Sequence, residues 1–291
     1  MLAPVLVMTL FSANVFKFTS TNRQPQRKRL TLLSNNTLFY WKQMPQQSSQ
    51  QIEQPQILDA LEFCLTDKHD CGYLADQQAT TLFVNPEISL QQQHYSFLAT
   101  VGFRRSGNNI YRPHCEQCNL CVPVRLNVNK YITSKQQKRC WNKNKDIITI
   151  SHPAQYNEDH FQLYSRYLSS RHPNSGMDPL SKSAYEDIIN SNWCHSELLE
   201  FRKDQRLVAV AVMDKLKDGL SAVYTFFEPE LSKLSLGTLA IQHEIKIAQQ
   251  RNLSWLYLGY WNSESQKMSY KTHFQPLQYF FNNGWIADKP F

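Results

Sequence analysis

The chain has 291 residues, of which 42% are hydrophobic, 12% aromatic and 19% charged, with a mean hydropathy of −0.50. This is long enough for one or two domains with a substantial core, and it excludes a chain disordered throughout, a collagen-like fibre and a polytopic membrane protein. Net charge is +7, but it is concentrated: residues 104–145 hold ten basic residues and one acid, Glu116, and residues 1–43 six basic residues and no acid, leaving 15 basic against 23 acidic elsewhere. A basic band of +9 in an otherwise acidic chain predicts a polyanion partner, a nucleic acid foremost.

Taken in chain order, residues 1–18 form an apolar run broken by Pro4, Ser12, Asn14 and Lys17, followed by the basic stretch of residues 23–29. A secretory signal carries its charge before the apolar run, and the run is short for a membrane span. With the glutamine-rich stretch of residues 44–56, residues 1–56 read as an extension outside the conserved fold. A weak amphipathic membrane contact by residues 1–43 is the alternative, and no membrane partner is expected of the rest. Seven cysteines, an odd number without a secretory signal, predict reduced thiols and a cytoplasmic protein.

From residue 57 the pattern is that of a folded chain. Apolar residues Tyr73, Leu74, Leu82, Phe83 and Val84 end at the turn Asn85–Pro86, and residues 91–101 read as a helix stopped by Gly102. Residues 122–128 alternate Val122, Val124, Leu126 and Val128, predicting a strand with one buried face. Residues 134–144 are a polar helix candidate placing Lys135, Lys138, Arg139 and Lys143 on roughly one face, and residues 161–171 a second helix. Strands are expected at 197–202, 207–214, 220–227 and 254–260, a helix at 236–251 between the last two, and a helical turn or two at 266–273.

That order predicts an α/β (α+β) fold: a mixed sheet with flanking helices, similar to N-acetyltransferases at the level of fold, with the cysteine-containing amino-terminal region packed on it. The expected division is 1–56 extension, 57–150 amino-terminal domain with the cysteines and the basic band, and 151–291 acyltransferase-like domain. A coenzyme-A site wants a glycine-rich turn before the long helix, and residues 233–239 offer only Gly237. Acyl transfer without that turn but with a basic band fits aminoacyl-tRNA as donor; a coenzyme-A-dependent N-acetyltransferase is the alternative.

Several stretches carry a resemblance. Residues 70–76 (DCGYLAD), 81–86 (TLFVNP), 102–107 (GFRRSG) and 111–115 (YRPHC), with Cys118 and Cys121, closely resemble the amino-terminal region of arginyl-tRNA–protein transferases. Residues 218–227 (DGLSAVYTFF), 235–238 (SLGT), 257–261 (YLGYW) and 267–271 (KMSYK) resemble their carboxyl-terminal domain, most of all in the bacterial aspartate/glutamate leucyltransferases. The resemblance covers about residues 62–285. It implies an aminoacyltransferase that moves Leu (or Arg) from charged tRNA to the α-amine of proteins starting with Asp or Glu, marking them for N-degron degradation. Three places depart from the pattern: residues 172–177, Asn262 where an apolar residue is usual, and Ser265 where a cysteine is usual. They leave room for an inactive tRNA-binding relative.

Candidate sites follow. Cys115, Cys118 and Cys121 recur every third residue, and Cys71 is a fourth thiol near in space by motif; four thiolates suit zinc or an iron–sulfur cluster, while reduced thiols lining a turn are the alternative. In eukaryotic relatives a Cys-Gly-Tyr-Cys pair contributes to such a site, and here its second member is Leu74. Lys135, Lys138, Arg139 and Lys143 are expected on tRNA phosphates, with Arg104 and Arg105 in a loop near the acceptor end; a solvated helix face is the plainer alternative. Aminolysis of an ester requires no cofactor, because an α-amine with a pKa near 8 is readily neutral and positioning supplies much of the rate. Asp214, Tyr224 and Tyr260 are the candidate catalytic groups, as proton acceptor or oxyanion donor. For the acidic side chain of the acceptor, Arg171, Lys267 and Lys271 are best placed by motif, the two lysines sharing a face if helical.

Overall fold

The computed structural model describes residues 61–171 and 178–291. The expected extension 1–56 and the altered segment 172–177 lie outside the described residues.

The amino-terminal part is a four-stranded antiparallel sheet in the order β1 (Phe63–Leu65), β4 (Thr81–Val84), β6 (Asn109–Pro113), β5 (Arg104–Ser106), with a short β2 (His69–Asp70) and β3 (Gln78–Ala79) pair beside it. Helix α1 (Gln92–Thr100) lies in the expected place. It stops at Gly102, whose φ of +88° an L residue avoids and where an added Cβ would stand 2.8 Å from the Pro123 ring. Arg104 and Arg105, expected in a loop, belong to strand β5 of a hairpin; two arginines and a serine carry no apolar alternation to reveal a strand.

The large sheet has eight strands, in the order β14 (Gly284–Ile286), β13 (Leu277–Phe281), β7 (Val122–Asn127), β12 (Trp255–Trp261), β11 (Gly219–Phe227), β10 (Arg206–Lys215), β9 (Ser196–Lys203), β8 (Ile148–Pro153). Every neighbouring pair is antiparallel except β11 with β12. Strand β7 is buried on both faces rather than one, because it lies inside the sheet between β12 and β13.

The period-2 alternation of β10 sorts its side chains between two cores. Ala209, Ala211 and Met213 join Leu236, Leu239, Ala240, Ile245 and Ala248 of helix α5 (Leu236–Gln250) on one face. Val210 and Val212 join Phe161, Tyr164, Leu168 and Tyr185 of α3 (Glu158–Arg171) and α4 (Lys182–Ile189) on the other. Helix α4 has no counterpart among the expected elements. Helix α2 (Lys135–Lys143) packs against α5 and starts at a reciprocal cap, the Ser134 hydroxyl accepting from the Gln137 amide while the Gln137 side chain accepts from Ser134 N–H. A third cluster, including Tyr95, Leu98, Phe103 and Ile110, closes on Tyr257 of β12 and fastens the small sheet to the large one. Each such buried side chain stabilises by about 1.5–3 kcal/mol.

Pairing between β11 and β12 covers only Gly219–Trp255, Leu220–Leu256 and Ser221–Tyr257. Beyond these, β11 shifts register against β10 between Val212 and Met213, and β12 shifts against β7 between Tyr257 and Gly259, where Gly259 takes a φ of +82°. The two strands part into a wedge.

Candidate active site

Tyr95, Arg104, Tyr111, Ser221, Val223 and Gly259 line a hollow where the wedge opens. Arg104 is only 5% exposed. Its Nη1 donates to Ser221 Oγ at 3.2 Å, its Nη2 lies 3.4 Å from the Val124 carbonyl oxygen, and its guanidinium stands 5.3 Å from the Tyr257 ring centre. Its Nε has no acceptor, and no carboxylate pairs with it among the described residues. Lys271 reaches the same region, 2% exposed, with its Nζ donating to the Tyr260 carbonyl oxygen. Burial and the nearby Arg104 charge bring its amine down to about 7. A buried guanidinium and a buried amine of lowered pKa thus lie beside the wedge.

Arg105 also borders the hollow, but its guanidinium is fully engaged. Its Nε and Nη2 meet the two oxygens of Asp214 at 2.7 and 2.9 Å, both side chains fully enclosed, and its remaining N–H groups reach the carbonyls of Gly107, Ile188 and Asn190. Ser196 Oγ donates to Asp214 at 2.6 Å. A guanidinium so enclosed does not meet RNA phosphate, and both oxygens of the carboxylate are taken up by Arg105 and Ser196. The expected tRNA role of Arg105 and catalytic role of Asp214 therefore give way to a buried structural pair.

Of the tyrosines, Tyr260 has its hydroxyl 3.0 Å from the Gly102 carbonyl oxygen and 3.2 Å from that of Tyr111, tying β12 to the small sheet. Tyr224 lies on β11 beyond the paired stretch, its ring centre 6.3 Å from that of Tyr167 and 6.4 Å from that of Tyr164. Burial holds both phenols well above their ordinary pKa.

Residues Gln266–His273 form a 3-10 helix, in which side chains repeat every third residue rather than every 3.6. Ser265, Met268 and Lys271 are accordingly buried, and Lys267, four residues from Lys271, is exposed. The shared face expected of the two lysines is absent. Arg171 is exposed in the last turn of α3. Lys135, Lys138, Arg139 and Lys143 are all exposed on α2.

Cys71, Cys115, Cys118 and Cys121 line one hollow together with Pro113 and Asn262. Asn262 Nδ2 approaches Cys121 Sγ at 3.9 Å, and Cys115 Sγ approaches the Thr80 carbonyl oxygen at 3.8 Å. Burial pushes the Cys121 thiol up to about 12 and raises Cys115, so both favour the protonated form. Among the described residues no group of three or more His, Cys, Asp or Glu is gathered closely enough to hold a metal ion. The four thiols line one hollow without forming such a group.

Sequence reasoning missed Glu244. It occupies the buried face of α5, is 0% exposed, and neither carboxylate oxygen has a hydrogen-bond partner. Burial pushes its carboxyl up to about 8. An acid on the apolar stripe formed by Leu236, Ala240, Ile241, Ile245 and Ala248 was the available signal.

Among the described residues no helix is long and apolar enough to cross a membrane. Residues 69–139 match the family model for the amino terminus of arginine-tRNA-protein transferase, and residues 159–281 that for its carboxyl terminus. The aspartate/glutamate leucyltransferase of Teredinibacter turnerae is 45% identical over 230 residues, 79% of this chain and 95% of that protein. Those of Saccharophagus degradans and Pseudomonas syringae pv. syringae are 43% and 44% identical, each aligned over 79% of this chain and 98% of the relative. A transferase sheet split at a wedge, with matches across both its halves, places this chain in the arginine-tRNA–protein transferase family of aminoacyltransferases.

Proposed function

We propose that the chain transfers leucine from leucyl-tRNA to the α-amine of proteins that begin with Asp or Glu, committing them to N-degron degradation in the cytoplasm. The relatives' names support the donor and acceptor classes. The observation that carries the reading is the basic corner: Arg104 and Lys271, both buried, with the Arg104 Nε lacking an acceptor among the described residues. A buried charge left unpaired costs several kcal/mol, and the acidic side chain of an acceptor supplies what is missing.

In this reading the Arg104 guanidinium holds the acceptor's carboxylate. Lys271, with its amine at about 7, accepts a proton from the attacking α-amine as the new amide bond forms. The ester bond to the terminal ribose breaks, and the ribose oxygen leaves as a hydroxyl with the proton that Lys271 took from the amine, which returns Lys271 to its neutral form. Backbone N–H groups of β11 past Ser221, where pairing with β12 has ended, supply donors for the developing oxyanion. The exposed basic face of α2 receives tRNA phosphates.

The test is single-turnover transfer from leucyl-tRNA to peptides starting with Asp or Asn. Arg104→Met should lower transfer to the Asp peptide by at least about a hundredfold, in line with about 3–5 kcal/mol for breaking a buried ion pair, and leave the Asn peptide little changed. Thermal melting checks that the variant folds, and Arg104→Lys should retain part of the acidic preference. A folded Arg104→Met protein that still prefers Asp overturns the assignment. A wild-type preference for basic or apolar starts overturns the function.

A further inference from the structure

We infer that Glu244 is the counter-charge for the α-ammonium of the aminoacyl group on the tRNA, so that a free amino group on the donor is a requirement of the enzyme. This deepens the proposed function and rests on it.

The buried carboxylates of the large sheet set the contrast. Asp214 has Arg105 and Ser196, Glu200 has His160 and Arg202, and Glu228 has Arg166 and Arg206. Glu244, enclosed as fully as any of them, has no cation and no donor on either oxygen among the described residues. A carboxyl in that state is destabilising where it stands, and its unused acceptor capacity marks the place of a group the folded chain does not itself supply.

Its position says which group. Gly237 is two turns before Glu244 on the same side of α5, and a Cβ there would stand 3.8 Å from the ring of Phe227, on the part of β11 beyond its pairing with β12. The Phe227 ring centre is 5.0 Å from that of Tyr167. Glu244 therefore belongs to the α5 side of the wedge. Arg104 packs with Tyr95 and Tyr257 of the cluster on the other face of the sheet.

The reaction brings two amino groups to the wedge. The acceptor's amine must be neutral to attack, and a carboxylate beside it would hold its proton in place. The donor's amine takes no part in bond formation and remains an ammonium throughout. An acid on the α5 side, ionised when an ammonium lies against it, and the Arg104 guanidinium on the opposite side separate the roles: the ammonium end of the donor settles by Glu244, the carboxylate end of the acceptor by Arg104, and the ester carbonyl lies between. No bond is made or broken at Glu244; it orients the donor and rejects one whose amine is blocked.

The experiment compares leucyl-tRNA with N-acetyl-leucyl-tRNA, in single-turnover transfer to an Asp-starting peptide and in direct binding, for wild type and Glu244→Gln. Wild type should prefer the free amine by a hundredfold or more. Glu244→Gln should lose most of that ratio while binding uncharged tRNA as before and melting no lower than wild type. Wild type using both donors equally overturns the inference without any variant. So does a folded Glu244→Gln protein that keeps the full ratio, which leaves the proposed function standing. Failure of wild type to transfer from leucyl-tRNA at all overturns the proposed function with it.

Discussion

Removing the guanidinium of Arg105 would leave the Asp214 carboxylate enclosed with no cation and only weaker donors such as the Ser196 hydroxyl. Arg105→Met should therefore lower stability by about 3–5 kcal/mol, read as a shift in the midpoint of urea unfolding, whereas the neighbouring Arg104→Met should shift it far less because no carboxylate is orphaned. Equal losses for the two would contradict the division of roles. Glu244 gives a second expectation, in pH. Its carboxyl sits at about 8 in the folded chain against an ordinary 4.5, so between those values the folded protein keeps a proton that the unfolded chain has released. Its contribution to stability is then best below about pH 4.5 and is lost as the pH rises toward 8. Urea unfolding between pH 5 and 8 should show Glu244→Gln gaining on wild type as pH rises, and a constant gap would refute the shift. Little of this was legible in the sequence. Arg104 and Arg105 are the same residue type side by side, and strand alternation alone sends one to Asp214 and the other to Ser221.

Helix α2 is the element on which the tRNA reading is most directly checked. Changing Lys135, Lys138 and Arg139 together to Ala should weaken tRNA binding and reduce the slope of log affinity against log salt by about two to three, because fewer phosphates are neutralised and fewer counterions leave the RNA. An unchanged slope would leave α2 a solvated face. Elements with a clear period were legible: α1, α5, β10 and β11 occur where apolar residues placed them, and α2 where its polar pattern did. Those that failed did so for identifiable reasons. Strand β8 carries Ile148 at 61% and Ile150 at 40% exposure on the edge of the sheet, so its pattern has no inside. The Gln266–His273 segment keeps a helical composition but runs at three residues per turn, which separates the two lysines that a wider helix would align.

Across the whole molecule, the basic band divides by residue type. Arg104 and Arg105 are buried, and Arg112 and Arg125 are half-buried against aromatic rings, Arg112 on Phe103 at 5.0 Å and Arg125 on Trp255 at 3.7 Å. Lys130, Lys135, Lys138, Lys143 and Lys145 are exposed with Arg139. Planar guanidinium groups stack and fork within packed structure, while strongly hydrated ammonium groups stay in water. The surface charge available to a polyanion is therefore smaller than the sequence count, and it is concentrated on and around one helix. The fold class and the family were legible because their motifs run the length of the chain. The balance of buried charge at the wedge was not, because it depends on which side chains lose water, a property of the assembled sheet.

The seat of β7 between β12 and β13 has a consequence for how the chain is made. Residues 122–127 leave the ribosome long before 255–261 and 277–281, the segments that pair with them in the large sheet among the described residues. Until synthesis is nearly complete, Val122, Val124 and Leu126 belong to a strand with both edges open, the arrangement most prone to capture by another chain. A fragment ending at residue 150 should accordingly be recovered as aggregate. Co-expression with residues 151–291 should bring it into solution as a complex, since those residues carry both missing neighbours. Soluble, cooperatively melting 57–150 on its own would show that β7 finds another partner. Arrest of translation between residues 150 and 255 should likewise leave the nascent chain sensitive to protease at β7, and release to full length should remove that sensitivity.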